Sequence, residues 1–245
     1  MNLCILLTAT IHPQGIGILH ESEREAMYIN TLLYYAKTLG TSINIIFAEN
    51  SGHSLENIKE KVGNQLNIEY LSFSPDEFDI PKGKGYNEML MMDKTLERSS
   101  FIKKSTHFMK ITGRYPILNI KNILKEIHSR GNENIKYMGD MKDTDLFIKR
   151  HWGECRFWVC SNDYYLSEFQ GRYGEIYDYE AGKHAEDFFL RHARKHRGEK
   201  NYVFRFYTQA FFGSYDSTSL NNTFAITAKN NIRTLMRRMF PNWWF

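Results

Sequence analysis

The amino-terminal part of the chain alternates short apolar runs with helical segments, and this alternation constrains the fold more than any other feature. Residues 3–7 are apolar without a break and lead into Thr8-Ala9-Thr10, the signature of a buried strand followed by a loop. The loop at 11–21 holds Pro13, Gly15 and Gly17. A helix is predicted over 22–40, with Ser22 as N-cap, Gly40 as C-cap, and Tyr28, Leu32, Tyr35, Ala36 and Leu39 on one face. Residues 43–48 and 67–73 read as the second and third strands, with a short helix at 54–62 between them. Strand, helix, strand, helix, strand is the pattern of an α/β fold, a parallel sheet covered by helices. Ligands of such sheets bind beyond the carboxyl ends of the strands, which points to Thr8-Ala9-Thr10 and to Glu49-Asn50.

Gly83-Lys84-Gly85-Tyr86 precedes a helix predicted over 87–99, and a fourth strand at 108–111 ends in Thr112-Gly113-Arg114-Tyr115-Pro116. A helix at 119–128, strands at 135–138, 145–150 and 157–160, and a helix at 162–169 follow. His184-Ala185-Glu186-Asp187 opens a helix reaching about 196, and residues 202–207 and 210–212 read as aromatic strands. Residues 227–240 close the chain as a helix stopped near Pro241. No internal repeat or Pro/Gly/Ser-rich linker interrupts the order, so residues 1–216 read as one domain and 217–245 as a C-terminal extension.

The charge balance separates the same two parts. There are 32 Lys plus Arg against 28 Asp plus Glu, but beyond Asp216 lie only basic residues, Lys229, Arg233, Arg237 and Arg238. Without those four the body carries 28 charges of each sign, which argues against a nucleic-acid partner. At 42% hydrophobic and 24% charged residues the composition is that of a globular protein. Three cysteines make no disulfide framework, and the nine histidines show no zinc spacing. Without a signal peptide or a long apolar run, a cytoplasmic protein is expected.

Several clusters could carry chemistry. The glycines flanking Lys84 can hold a phosphate through backbone N–H groups at a helix start, or form a plain turn. Lys110, Arg114 and Tyr115, at the end of the fourth strand, either face a bound anion or decorate a surface turn. Glu186 and Asp187 complement a helix dipole or supply a general base. Asp143 and Asp145 match a loose pattern for paired metal-binding carboxylates, or sit in a turn.

In order, these pieces resemble the GT-A-type glycosyltransferases, especially the small bacterial enzymes of capsular polysaccharide and O-antigen synthesis. Leu6-Leu7-Thr8-Ala9-Thr10-Ile11 with the Arg24 helix is similar to their nucleotide-binding start. Phe108-Met109-Lys110-Ile111-Thr112-Gly113-Arg114-Tyr115 is similar to a Lys-x-Thr-Gly-Arg-Tyr segment of some members. Glu186-Asp187 resembles the x-Glu-Asp element that supplies the base of inverting enzymes, and the likeness spans roughly residues 1–195.

The resemblance implies a GT-A-like, mostly parallel mixed sheet. It also implies a hexosyltransferase activity that takes a sugar from a nucleotide-diphosphate donor to a saccharide or lipid-linked acceptor. Thr8, Thr10 and Glu49 would line the nucleoside pocket with Arg24 nearby, and Lys84, Lys110 and Arg114 would face the diphosphate, with Tyr115 and His184 beside them. Asp187, or Glu186 next to it, would deprotonate the acceptor. One departure bears on the cofactor: metal-dependent relatives end the fourth strand in Asp-x-Asp, where this chain has Thr112-Gly113-Arg114. Either Asp143 and Asp145 hold Mg²⁺ or Mn²⁺, or no metal is used and fixed cations neutralise the diphosphate; the second is favoured.

In the closing helix Ile232, Leu235, Met236, Met239 and Phe240 share an apolar face, Arg233, Arg237 and Arg238 lie off it, and Trp243-Trp244-Phe245 follow. Such a helix suits an anionic membrane surface, or it packs on the domain. Two other functions remain open. One is a different nucleotide-dependent transferase on a similar sheet. The other is a non-catalytic RNA-binding protein using Arg191, Arg194, Lys195, Arg197 and Lys200 with Tyr202, Phe204 and Phe206.

Overall fold

The computed structural model describes residues 1–13, 19–130, 134–144, 149–213, 232 and 234–240. Five elements open the chain: β1 Leu3–Ala9, α1 Glu21–Leu39, β2 Asn44–Glu49, α2 Glu56–Val62 and β3 Asn67–Ser72. Then come α3 Lys84–Arg98, α4 Ser100–Lys103, β4 His107–Thr112 and α5 Ile120–Ser129. The second half holds β5 Tyr137–Met138, β6 Met141–Thr144, β7 Arg150–Gly153, β8 Phe157–Ser161, α6 Asn162–Glu168, α7 Ala185–Lys195 and β9 Tyr202–Val203.

Seven strands form one sheet in the order β3-β2-β1-β4-β8-β5-β9. β3, β2, β1 and β4 run parallel, β8 is antiparallel to both β4 and β5, and β9 runs parallel to β5. The sheet is the mostly parallel, mixed one expected. The unbroken apolar run of β1 has its explanation in the two faces. Leu3, Ile5, Leu7 and Ala9 enter a core with residues of α1, α2 and α5, while Cys4 and Leu6 enter a second core under α3, α6 and α7. The register sets Thr8 beside Thr112 and Ala9 beside Glu49, so the ends of three parallel strands finish together.

Several expected boundaries shift. α1 starts at Glu21 with His20, not Ser22, as N-cap, and Glu23 Oε2 accepts the His20 N–H at 2.8 Å. α3 begins at Lys84, three residues before the expected Asn87, so Gly83 is its N-cap and not part of a free loop. The strand expected at 145–150 falls largely on 145–148, outside the described residues; what flanks them is an antiparallel hairpin of β6 with β7.

The aromatic segment 202–207 supplies only the two-residue β9. Beyond it Phe204 enters the core under α7 and Phe206 the opposite one, so the side chains are spent on both cores rather than on a ladder. Phe212 makes a lone bridge to Ile117 in place of the strand expected at 210–212. With Tyr202, Phe204 and Phe206 buried, these rings offer no stacking platform for bases, the feature an RNA-binding reading needs. Of the closing helix, 234–239 are described and helical. Among the described residues no helix is long and apolar enough to cross a membrane.

Candidate active site

The carboxyl ends of β1, β2 and β4 meet two sets of polar side chains, one on each face of the sheet. On the α3 face, alternation points Thr8, Lys110 and Thr112 the same way, and α3 brings Glu88 down onto them. Glu88 Oε1 accepts the Thr8 hydroxyl at 2.7 Å and pairs with Lys110 Nζ at 2.8 Å. The same ammonium donates to Cys155 O at 2.7 Å and to Thr112 Oγ1 at 3.1 Å. Three partners match the three N–H groups of a lysine. Lys110 is therefore part of the site's floor: its side chain is 1% exposed and its three N–H groups are engaged by the chain itself.

Sequence reasoning passed over Glu88. The signal was present: Gly85, Met89, Met92 and Leu96 are the buried row of α3, and Glu88 lies three residues after Gly85 and four before Met92. A carboxylate on the edge of an apolar stripe needs a partner below it, and Lys110 is that partner.

Over this floor comes the first turn of α7. Gly153 permits the approach, since a Cβ there would stand 3.2 Å from Glu186 O and 3.0 Å from Phe189 Cβ. Burial pushes the Cys155 thiol up, and the negative charges of Glu186, Glu88 and Glu154 push the same way against the lowering effect of Lys110. A Cβ on Gly85 would likewise stand 3.1 Å from Ala185 Cβ, so the first turn of α7 packs on the start of α3 as well as on Gly153. The Glu186 side chain is exposed and Asp187 is half-buried; neither carboxylate is hydrogen-bonded among the described residues. His184 is the N-cap of α7, its carbonyl accepting Asp187 N at 3.1 Å and Phe188 N at 3.0 Å.

The second set lies toward α1. Thr10 is held from three sides: Arg24 donates to its carbonyl from Nε at 2.8 Å, Tyr28 Oη accepts its N–H at 2.9 Å, and its hydroxyl donates to Asn50 at 2.6 Å. Burial lowers the Arg24 pKa, and the neighbouring positive charge of Arg114 lowers it further. The Arg114 guanidinium lies 5.5 Å from the Tyr115 ring and makes no hydrogen bond among the described residues. Gly113 seats this turn against β1: its N–H donates to Thr8 O at 2.9 Å, and a Cβ would stand 3.0 Å from that oxygen. Glu49 is fully buried and accepts Ile11 N at 3.0 Å, Ser51 N at 2.9 Å and His53 N at 3.2 Å, besides the Ser51 hydroxyl. It ties the loops after β1 and β2 together, so it shapes a pocket through their backbones and not by exposing its own oxygens.

Two of the candidate binding groups are engaged by the chain's own side chains. The backbone N–H groups at the start of α3, a candidate phosphate cradle, already hold an anion of the chain itself. Asp178 Oδ2 accepts Lys84 N at 2.5 Å and Gly85 N at 3.1 Å. The two glycines serve this contact: a Cβ on Gly83 would stand 2.7 Å from Asp178 Cβ, and one on Gly85 2.9 Å from Asp178 Oδ1. Asp143, one of the two candidate metal-binding carboxylates, is likewise engaged within the chain. Arg194 grips Asp143 with two bonds at 2.5 and 3.0 Å, and His151 adds a third contact at 2.8 Å. These hold the carboxyl down at about 2, chiefly through Arg194, and leave it engaged where a cation would need it. Asp145 lies outside the described residues.

No family model and no curated protein matches the chain. It is similar to several solved structures at low identity. One is a 4-diphosphocytidyl-2C-methyl-D-erythritol synthase from Anaerococcus prevotii, at 12% identity and a TM-score of 0.48 over 94% of this chain and 95% of that one. Another, from Desulfovibrio desulfuricans and described as a nucleotide-diphospho-sugar transferase, has 12% identity and a TM-score of 0.42 over 80% and 76% of the two chains. Mouse xyloside xylosyltransferase 1 in its apo form has 9% identity and a TM-score of 0.48 over 83% and 85%. These are distant likenesses of overall fold, and they assign no role to any residue of this chain.

Proposed function

We propose that this chain is a glycosyltransferase of hexosyl type, moving a sugar from a nucleotide-diphosphate sugar to a saccharide or lipid-linked acceptor with inversion at the anomeric carbon. The carrying observation is a convergence at one sheet edge. The Thr8–Glu88–Lys110 floor lies at the ends of β1 and β4, where ligands of parallel sheets bind, and the first turn of α7 packs on Gly85 and Gly153 beside it.

In this reading the Thr10 loop, held by Arg24 and backed by Glu49, borders the nucleoside, with Tyr115 and His184 at the margins. Arg114, unbonded at the strand end, and the Lys84 side chain meet the diphosphate. Asp187, or Glu186 beside it, takes the proton of an acceptor hydroxyl. The freed oxygen attacks the anomeric carbon in line, and the carbon–oxygen bond to phosphate breaks with its electron pair leaving on the diphosphate. Fixed guanidinium and ammonium charge at that leaving group takes the part a metal plays elsewhere, so Mg²⁺ or Mn²⁺ is not required. Residues 1–216 form the catalytic domain, and 217–245 an extension that meets an anionic membrane carrying the acceptor. Synthesis of a bacterial surface polysaccharide at the cytoplasmic face of the membrane suits such an enzyme, and no nucleic-acid partner is implied.

The test is turnover of the full chain with a panel of nucleotide sugars after chelation. Asp187→Asn should lower the rate by at least about two orders of magnitude while leaving donor affinity nearly intact. Normal turnover by that variant would move the base to Glu186, and strict dependence on added Mn²⁺ would overturn the metal-free mechanism.

A further inference from the structure

Away from this site, the carboxyl end of α7 carries His192 and His196, four residues apart on one helix face, and the last residue of α6, Glu168, comes against them. One donor atom from each of the three lies within 4.8 Å of the other two. At about 1.5 Å per residue, His192 stands roughly 9 Å along the helix from Glu186, so the cluster is separate from the strand-end site. The histidine spacing alone carried no zinc signature, because the third member lies 24 residues upstream of His192 on another helix.

Each imidazole is held in place. His196 Nδ1 lies 2.9 Å from Glu199 Oε1, an arrangement in which Nδ1–H donates to the carboxylate and Nε2 keeps its lone pair. That Nε2 is buried and has no hydrogen-bond partner. The His196 ring stacks on Tyr202 at 4.3 Å with 9° between planes, which fixes its direction. His192 packs on Phe169 at 4.6 Å, and its Nε2 is 2.5 Å from Tyr164 Oη. Glu168 has two cationic neighbours: Lys195, 3.8 Å away with its side chain mostly in solvent, and Arg172, whose guanidinium is engaged by Glu175 and by the Glu168 carbonyl.

Two neutral imidazoles and one carboxylate form a donor set for Zn²⁺ and its first-row neighbours, not for Mg²⁺ or Ca²⁺, which prefer oxygen alone. We propose that His192, His196 and Glu168 bind one transition-metal dication of the zinc type, water completing its coordination. Glu199 acts as the outer carboxylate that orients His196. The ion joins the ends of α6 and α7 to the segment leading into β9, and so stabilises the fold. It takes no part in transfer, and the proposal stands whether or not the chain is a glycosyltransferase.

Co²⁺ titration of the full chain after chelator treatment provides the test. One equivalent of Co²⁺ should give the visible absorption of a four- or five-coordinate ion, and Zn²⁺ should displace it. Zn²⁺ at a hundredfold excess over Kd should raise Tm by about 5 °C or more. His196→Gln should abolish the Co²⁺ band, Glu168→Gln should weaken binding at least tenfold, and Glu199→Gln should weaken it by about tenfold through the outer shell. His12→Gln and His53→Gln should leave it unchanged. If His196→Gln fails to fold, Glu168→Gln decides, because that side chain lies at the surface. The site is refuted if no stoichiometric Co²⁺ binds at about 100 µM, or if the band survives in both His196→Gln and Glu168→Gln.

Discussion

Lys110 and Glu88 form an ion pair of 2.8 Å in which the lysine side chain is 1% exposed and the glutamate 29%. The asymmetry predicts unequal costs. Glu88→Ala leaves a buried ammonium with neutral partners only and should destabilise the protein by about 3 kcal/mol or more. Lys110→Met keeps the apolar stem and leaves a carboxylate that can turn toward water, so it should cost about half as much. Urea unfolding of the two variants gives the ranking, and the reverse order would contradict a buried lysine anchored by Glu88.

Gly83 and Gly85 let Asp178 approach the start of α3 closely and cap it. Gly83 has φ +97°, and a Cβ at either glycine would stand within 3.0 Å of Asp178. Gly83→Ala combines a left-handed backbone with that collision and should lower stability by about 2 kcal/mol or more. Asp178→Ala, which removes only the cap, should cost about 1 kcal/mol. Thermal unfolding compares them; an unchanged Tm for Gly83→Ala would show that the Asp178 loop does not sit on α3 in solution.

Stability should fall on the acid side in two steps. Burial, with the repulsion that neighbouring His196, Arg172 and Lys195 would exert on an imidazolium, lowers the folded pKa of His192 from its ordinary 6.5 to about 3. Between those values the unfolded state binds the extra proton, so stability drops as pH falls from 6.5 toward 3. Asp143 is held at about 2 by Arg194, so its contribution is present above about pH 4 and is lost from there down to about 2. In metal-free protein, His192→Gln should flatten the loss between pH 6.5 and 4, and Asp143→Asn the loss below 4. Denaturation midpoints across this range check both, and wild-type slopes in the variants would contradict the assignments.

The carboxyl-terminal helix turns Arg237 inward and Ile232, Leu235 and Met239 outward. Arg237 is 4% exposed and donates to Asp140 at 2.9 Å and to Phe206 O at 3.0 Å, whereas Ile232, Leu235 and Met239 are 62, 57 and 59% exposed. The same variants therefore separate docking from membrane binding. Arg237→Ala should lower Tm, because burial already raises the Asp140 pKa and Arg237 opposes that rise. Replacing Ile232, Leu235 and Met239 with Ser should leave Tm unchanged and reduce binding to anionic liposomes at least tenfold. Liposome binding equal to wild type would remove the membrane role.

Where the fold was legible, it was because both faces of a strand or one face of a helix are buried. β1 and the α1 stripe of Tyr28, Leu32 and Tyr35 are examples. Lys110 was legible as a strand-end cation but not as a buried one, because its neutralising partner sits 22 residues away on α3. Asp178 reaches Lys84 across 94 residues of sequence, a contact no local pattern carries. Tyr202, Phe204 and Phe206 alternate like a strand, yet that alternation serves two cores. His192 and His196 acquire meaning only when α6 sets Glu168 beside them.

The central claim is that the edge formed by β1 and β4 receives a nucleoside diphosphate, and its most direct test is the thermal shift of the full chain with UDP, GDP, CDP, ADP and dTDP. One of these, without added metal, should raise Tm by several degrees at millimolar concentration, and Arg114→Ala should lose most of that rise while its ligand-free Tm stays near wild type. No shift with any of the five, or a shift that Arg114→Ala leaves intact, would contradict a nucleotide-sugar transferase built on this edge.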